Sequence, residues 1–255
     1  MQFTDTHCHI QFADYPLNAD KVIEDAQLVG VDRLLVVGCT LDDSQAGIEL
    51  AAKHQNMWAA IGLHPHEAKN YQIGSKELVK FEQLATQPKV VAIGESGLDY
   101  YYNHSPKAAQ QELLHFQLKL AQKHNLPVIF HIRDAFEDFW AIVDQYPGLK
   151  GVIHSFTATK AELEEALKRG LLIGLNGIMT FTKQADQLAM AKAIPLDKLV
   201  LETDAPFLTP YPFRGTICQP KHVRVTAEFL SQLRGETLET IATATTQNAA
   251  QLFKL

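Results

Sequence analysis

Eight short apolar runs, each followed by a segment of helical periodicity, constrain this 255-residue chain more than any other feature. The runs lie at 2–9, 33–39, 57–63, 89–95, 127–132, 151–155, 171–176 and 198–203. Helix-period segments fall near 18–30, 42–54, 75–87, 107–125, 135–146, 159–169 and 184–193, with two more at 220–234 and 236–253. Runs such as Leu34-Leu35-Val36-Val37 are apolar on both faces, as parallel strands covered on both sides must be. A β-then-α order repeated eight times predicts an α/β fold, a single (β/α)8 TIM barrel, which typically takes about 250 residues. No Pro/Gly/Ser linker or low-complexity tract interrupts the order, so one domain is expected over 1–255.

Helix-start signals agree with this division. Thr40 with Asp42, Ser75, and Ser105-Pro106 precede three of the segments, and Thr159 with Glu162 forms a capping-box pattern before a fourth. Gly30, Gly148 and Gly170 fall at expected helix ends. The longest irregular stretch, 205–219, follows the last strand and is expected over the rim where a barrel carries its functional residues.

Composition narrows the class. A hydrophobic fraction of 46% and a charged fraction of 20% exclude a disordered chain. A net charge of −6 argues against a broad basic surface for duplex binding, though not against a nucleic acid met locally. Cys8, Cys39 and Cys218 show no paired spacing, which suits a reducing compartment. The N-terminus lacks a leader pattern, and no stretch approaches the roughly 20 apolar residues of a membrane span. A cytoplasmic protein without membrane contact is expected.

The ends of the strands carry the chemistry. The runs close on His7-Cys8-His9, Glu95, His131, His154 and Asp204. Parallel strands of a barrel end on one rim, so four His and two carboxylates are expected to meet in a dinuclear metal site. His7 and His9 share a strand face and can grip one ion, while Cys8 points away. Asp204 closes the last strand, next to the first in a closed barrel, and can share that ion. Glu95 has two oxygens and can bridge two cations. Nitrogen and oxygen donors without thiolate suit two divalent ions, Zn2+, Mn2+, Ni2+ or Fe2+, with Mg2+ also a candidate. A pure oxygen cage would not need four imidazoles. Such a pair of ions activates water and clamps the attacking and leaving oxygens. Asp204 is the expected general base, and with Glu95 makes the catalytic pair.

These residues, in this order, resemble the TatD family of metal-dependent hydrolases, within the amidohydrolase-like barrels. The resemblance runs from Asp5-Thr6-His7-Cys8-His9 through Gly62-Leu63-His64-Pro65-His66 and Gly94-Glu95-Ser96-Gly97-Leu98-Asp99-Tyr100-Tyr101. It continues through Phe130-His131-Ile132-Arg133, His154-Ser155-Phe156, Leu175-Asn176-Gly177 and Glu202-Thr203-Asp204-Ala205-Pro206. It implies one metal on His7, His9 and Asp204, a second completed by His131 and His154, and Glu95 bridging them. The implied activity is cleavage of ester bonds in DNA, often exonucleolytic.

Around this set, His64, Arg133, Asp99, Tyr100 and Glu202 are candidate substrate contacts. His64 could touch a phosphate, a further metal or a proton, whereas His66 is expected to face solvent. Arg133 could hold a phosphate bidentately or pair with Asp134 or Glu202. The run Asp99-Tyr100-Tyr101-Tyr102 could stack bases or simply pack. Glu202 could orient a ligand; Ser155 and Arg214 are further candidates. His54, His104, His115, His124 and His222 read as surface or packing residues. The expected function is a deoxyribonuclease on single-stranded or frayed DNA. The alternatives are a two-metal hydrolase of amide or other C–N bonds and a metal-dependent binding module.

Overall fold

The computed structural model describes residues 1–255. Eight parallel strands form one sheet in sequence order: β1 (Phe3–Cys8), β2 (Val31–Val37), β3 (Met57–Ile61), β4 (Val90–Asp99), β5 (Val128–Arg133), β6 (Gly151–Ile153), β7 (Leu172–Leu175) and β8 (Leu199–Leu201). Nine helices accompany them: α1 (Ala19–Leu28), α2 (Leu41–Ala51), α3 (Lys76–Leu84), α4 (Lys107–His124), α5 (Phe136–Val143), α6 (Lys160–Lys168), α7 (Ala185–Ala193), α8 (Val223–Arg234) and α9 (Leu238–Phe253). The chain beyond β8 turns back onto β1, with the His9 N–H donating to the Ala205 carbonyl at 2.7 Å and the Asp204 N–H to the His7 carbonyl at 2.8 Å. The architecture is the (β/α)8 barrel that the alternation predicts. Two compact units build it.

The unit of Met1–Val36 and His154–Leu255 pairs β1 with β2 (Asp5 opposite Leu34) and β7 with β8 (Leu175 opposite Leu201). Helix α9 faces inward with Ile241, Ala242, Thr245, Ala249, Leu252 and Phe253, a spacing that keeps one helical face apolar. Asn248 on that face donates to the carbonyls of Leu196 and Leu199, both at 2.8 Å, and fixes the start of β8. Arg234 donates to the carbonyls of Ala191, Lys192 and Ile194, which the last turn of a helix leaves without partners.

In the unit of Val37–Ile153, β4 lies between β3 and β5. Buried glutamines stand in for missing strand bonds. Gln117 on α4 both accepts from the Leu63 N–H and donates to the Leu63 carbonyl, each at 2.9 Å. Gln110 does the same for Asp99, at 2.8 and 3.0 Å. Each amide side chain satisfies a backbone pair where the ladder ends.

Strand ends depart from the sequence boundaries in both directions. β1, β6 and β8 stop at Cys8, Ile153 and Leu201, so His9, His154 and Asp204 stand just beyond them. β4 instead continues four residues past Glu95 to Asp99, paired with β5 through Gly97 opposite His131 and Asp99 opposite Arg133. Gly97, at φ 158°, makes this extension possible, because a methyl group there would run into the His131 carbonyl oxygen.

Candidate metal centre

In the first unit, three donor atoms converge from the ends of β1 and β8. His7 Nε2 lies 3.1 Å from His9 Nε2, and Asp204 Oδ1 lies 3.6 and 3.3 Å from those same nitrogens. A tetrahedral ion with bonds of about 2.0–2.1 Å sets its donors about 3.3 Å apart. The donor set therefore fits a divalent cation in both spacing and chemistry. His7 is fully buried and His9 is 3% exposed, and His9 stacks on Phe12 with ring centroids 4.6 Å apart. Burial raises the Asp204 carboxyl, but the bond to His9 and the fields of His154, His7 and His9 outweigh it and hold the carboxyl below its ordinary range.

The backbone there is held by a residue to which the sequence reading gives no role. Asp5 accepts from the Thr203 N–H at 2.9 Å, the Thr203 hydroxyl at 2.6 Å and the His7 N–H at 3.3 Å. One carboxyl thus ties the β1 histidines to the segment carrying Asp204. Burial pushes it up to about 8, against the hydrogen bonds that favour the anion. Asp204 itself takes φ 61°, a left-handed conformation that Asp tolerates better than most residues.

His154 stacks on His7 with centroids 4.1 Å apart. Its Nδ1 lies 3.5 Å from Glu202 Oε1. That same oxygen accepts from the Ser155 N–H at 2.5 Å and from Asn176 Nδ2 at 3.3 Å. His7, His154 and Glu202, all buried, form a second group in this unit able to hold a cation. Glu202 faces the Nδ1 side of His154, its carboxylate pinned by Ser155 and Asn176. Cys8 Sγ turns to the Leu35 carbonyl at 3.6 Å.

The second unit assembles its own group around His131. Nδ1 lies 2.7 Å from Glu95 Oε1, and Nε2 lies 3.0 Å from Asp99 Oδ2. His64 Nε2 is 3.5 Å from the same Glu95 oxygen, and Cys39 Sγ is 3.8 Å from the other. His66 Nε2 reaches Asp99 Oδ2 at 2.8 Å. Burial lowers the His64 imidazole to about 4, assisted by His131 and His66 and opposed by Glu95. His64, His66 and His131 are close enough to share a cation.

Several candidates occupy places the sequence did not indicate. Asp99 is a fully buried strand residue, not a loop contact, and His66 is hydrogen-bonded rather than solvent-facing. Tyr100 gives its hydroxyl to Asp138 at 2.7 Å, while Lys107 covers its ring at 4.0 Å. Arg133 is exposed and lies over the rings of Tyr101 and Tyr102 at 4.1 and 4.7 Å. The second glycine of Gly94-Glu95-Ser96-Gly97 was the available signal, since it lets β4 run on and brings Asp99 under His131.

Known proteins share this chain's whole length. The family described as TatD related DNase matches residues 4–254. The uncharacterized metal-dependent hydrolase YabD of Bacillus subtilis is 38% identical over 98% of each chain. The 3'-5' ssDNA/RNA exonuclease TatD of Shigella flexneri is 34% identical, again over 98% of each. Among solved structures, YJJV, a TatD homolog from Escherichia coli, superposes with a TM-score of 0.92 at 30% identity, over 99% of this chain and 98% of that one. With a family model matched over residues 4–254 and relatives above 30% identity over 98% of each chain, the chain belongs to the TatD-related DNase family of metal-dependent hydrolases.

Proposed function

We propose that the chain, with two divalent ions, hydrolyses phosphodiester bonds in unpaired DNA, removing nucleotides from an end. The observation that carries this reading is the set of three donors, His7 Nε2, His9 Nε2 and Asp204 Oδ1, spaced 3.1–3.6 Å apart, which is the separation of donors around a tetrahedral divalent ion. Strands of a (β/α)8 barrel end on one rim. On that ground His7, His9 and Asp204 would hold one ion, His131 and His154 would complete the other, and Glu95 would serve both. When bound, the ions lower the pKa of water and neutralise charge on phosphoryl oxygens.

The chain's own residues do the rest. Asp204, 15% exposed, accepts the proton of the attacking water. Asp99 orients His131 through Nε2, and Glu202 faces the Nδ1 side of His154. His64, buried and neutral near pH 7, contacts the phosphate as a hydrogen-bond partner. The named exonuclease activity of the Shigella flexneri relative supports a nucleic-acid strand as the substrate. The buried thiols of Cys8 and Cys218, outside any disulfide, support the cytoplasm as its place of action; no helix is long and apolar enough to cross a membrane.

The test is release of nucleotides from labelled single-stranded DNA. Activity is expected to vanish in chelator, return with Mn2+ or Zn2+, and be absent in Glu95→Ala and Asp204→Ala. Full activity in either variant, or hydrolysis of small amides in place of DNA, would overturn the reading.

A further inference from the structure

Tyr101 and Tyr102 are 58% and 50% exposed, which is unusual for two adjacent large aromatics. Their presentation is rigid. Asp99 Oδ1 accepts both of their backbone N–H groups at 3.0 Å, and the other oxygen of that buried carboxylate holds His131 and His66. The two rings meet edge to face, with centroids 4.9 Å apart, and Tyr102 stacks on His104. Over both lies the Arg133 guanidinium, two residues beyond His131 on β5. A guanidinium lying on aromatic faces keeps its N–H donors in its own plane, where they can fork onto a phosphate. An exposed aromatic pair topped by a cation, in a chain of net charge −6, is complementary to a base followed by its phosphate and to little else.

We propose that Tyr101, Tyr102 and Arg133 form a base-stacking subsite for an unpaired nucleotide of the DNA strand, held at a fixed distance from His131 by Asp99. Resting on the nuclease reading, the inference gives that reading its substrate preference. Stacking on Tyr101 tolerates any base, since every base has a π-face. It therefore selects unpaired strands over duplex ends without selecting sequence. Tyr100 has no part in it, because its hydroxyl is held by Asp138 and the residue is only partly exposed.

The experiment uses the full chain and two single-stranded oligodeoxynucleotides, one intact and one whose 3'-terminal residues are abasic. KM and kcat are measured with metal, and Kd by fluorescence anisotropy in chelator. Tyr101→Ala is expected to raise KM and Kd for the intact strand about five- to hundredfold, with the loss falling on KM rather than kcat. Tyr101→Phe should restore both constants. For the abasic strand, wild type and Tyr101→Ala should bind alike. An unchanged Kd for the intact strand in Tyr101→Ala, or an equal rise for both strands, would overturn the subsite. Failure of the nuclease reading looks different: wild type with metal would cleave neither strand, and the anisotropy would still decide the subsite.

Discussion

Asp99 shows how much one carboxylate can organise. Its two oxygens serve two backbone N–H groups and two imidazoles. Burial alone would raise its pKa, but bonds from His131, His66 and the Tyr102 N–H hold it well below the usual carboxylate range. An anion there can accept a hydrogen bond from His131 Nε2 at 3.0 Å, while Nδ1 faces Glu95 Oε1 at 2.7 Å. Asp99→Asn keeps an acceptor for the loop but replaces that anion with a neutral amide. Metal affinity measured by calorimetric titration is expected to fall about 10- to 100-fold; unchanged affinity would refute the positioning role. A second residue-scale prediction concerns His222, buried against Phe213 and accepting from the Gln219 N–H at 3.1 Å. Burial, with Lys221 assisting, lowers its pKa to about 4. The unfolded chain then binds the proton first, so this contribution to stability is complete above pH 6.5 and lost as pH falls toward 4. His222→Asn, whose Oδ1 can still accept from Gln219, should show a smaller drop in melting temperature between pH 7 and pH 5 than wild type.

Among the elements, β4 decides the geometry of the second group. Its path past Glu95 depends on the close approach of Gly97 to β5. Gly97→Ala should cost about 2 kcal/mol in urea unfolding through overpacking and positive-φ strain, and should weaken metal binding by displacing His131. Wild-type stability in that variant would show that β5 can give way. Elements of this kind were legible in the sequence wherever one face, or both, is uniformly apolar. All eight strands and nine helices could be placed from periodicity, and the Thr159–Glu162 capping box reads directly from its spacing. The strand ends were less legible, because they are set by tertiary partners. Gln110 and Gln117 bond across 11 and 54 residues, and Asp5 reaches Thr203 across 198, distances no local pattern records. Metal-seeking residues were visible because their chemistry is rare at strand ends. The carboxylates behind them were less legible: Asp5 stood in a motif without a role of its own, and Asp99 read as a substrate contact rather than a buried anchor.

At the scale of the whole molecule, the proposed centre rests on the general geometry of a (β/α)8 barrel, whose parallel strands end on one rim. The fold gathers strand ends, and the sequence needs only to put a donor at each. The direct test of this account is the metal content of the protein saturated with Mn2+ or Zn2+ and freed of excess ion, measured by elemental analysis. Two ions per chain are expected in wild type, and one in each of Asp204→Ala and His131→Ala. A single ion in wild type, or two retained in both variants, would contradict a dinuclear centre built from the strand ends.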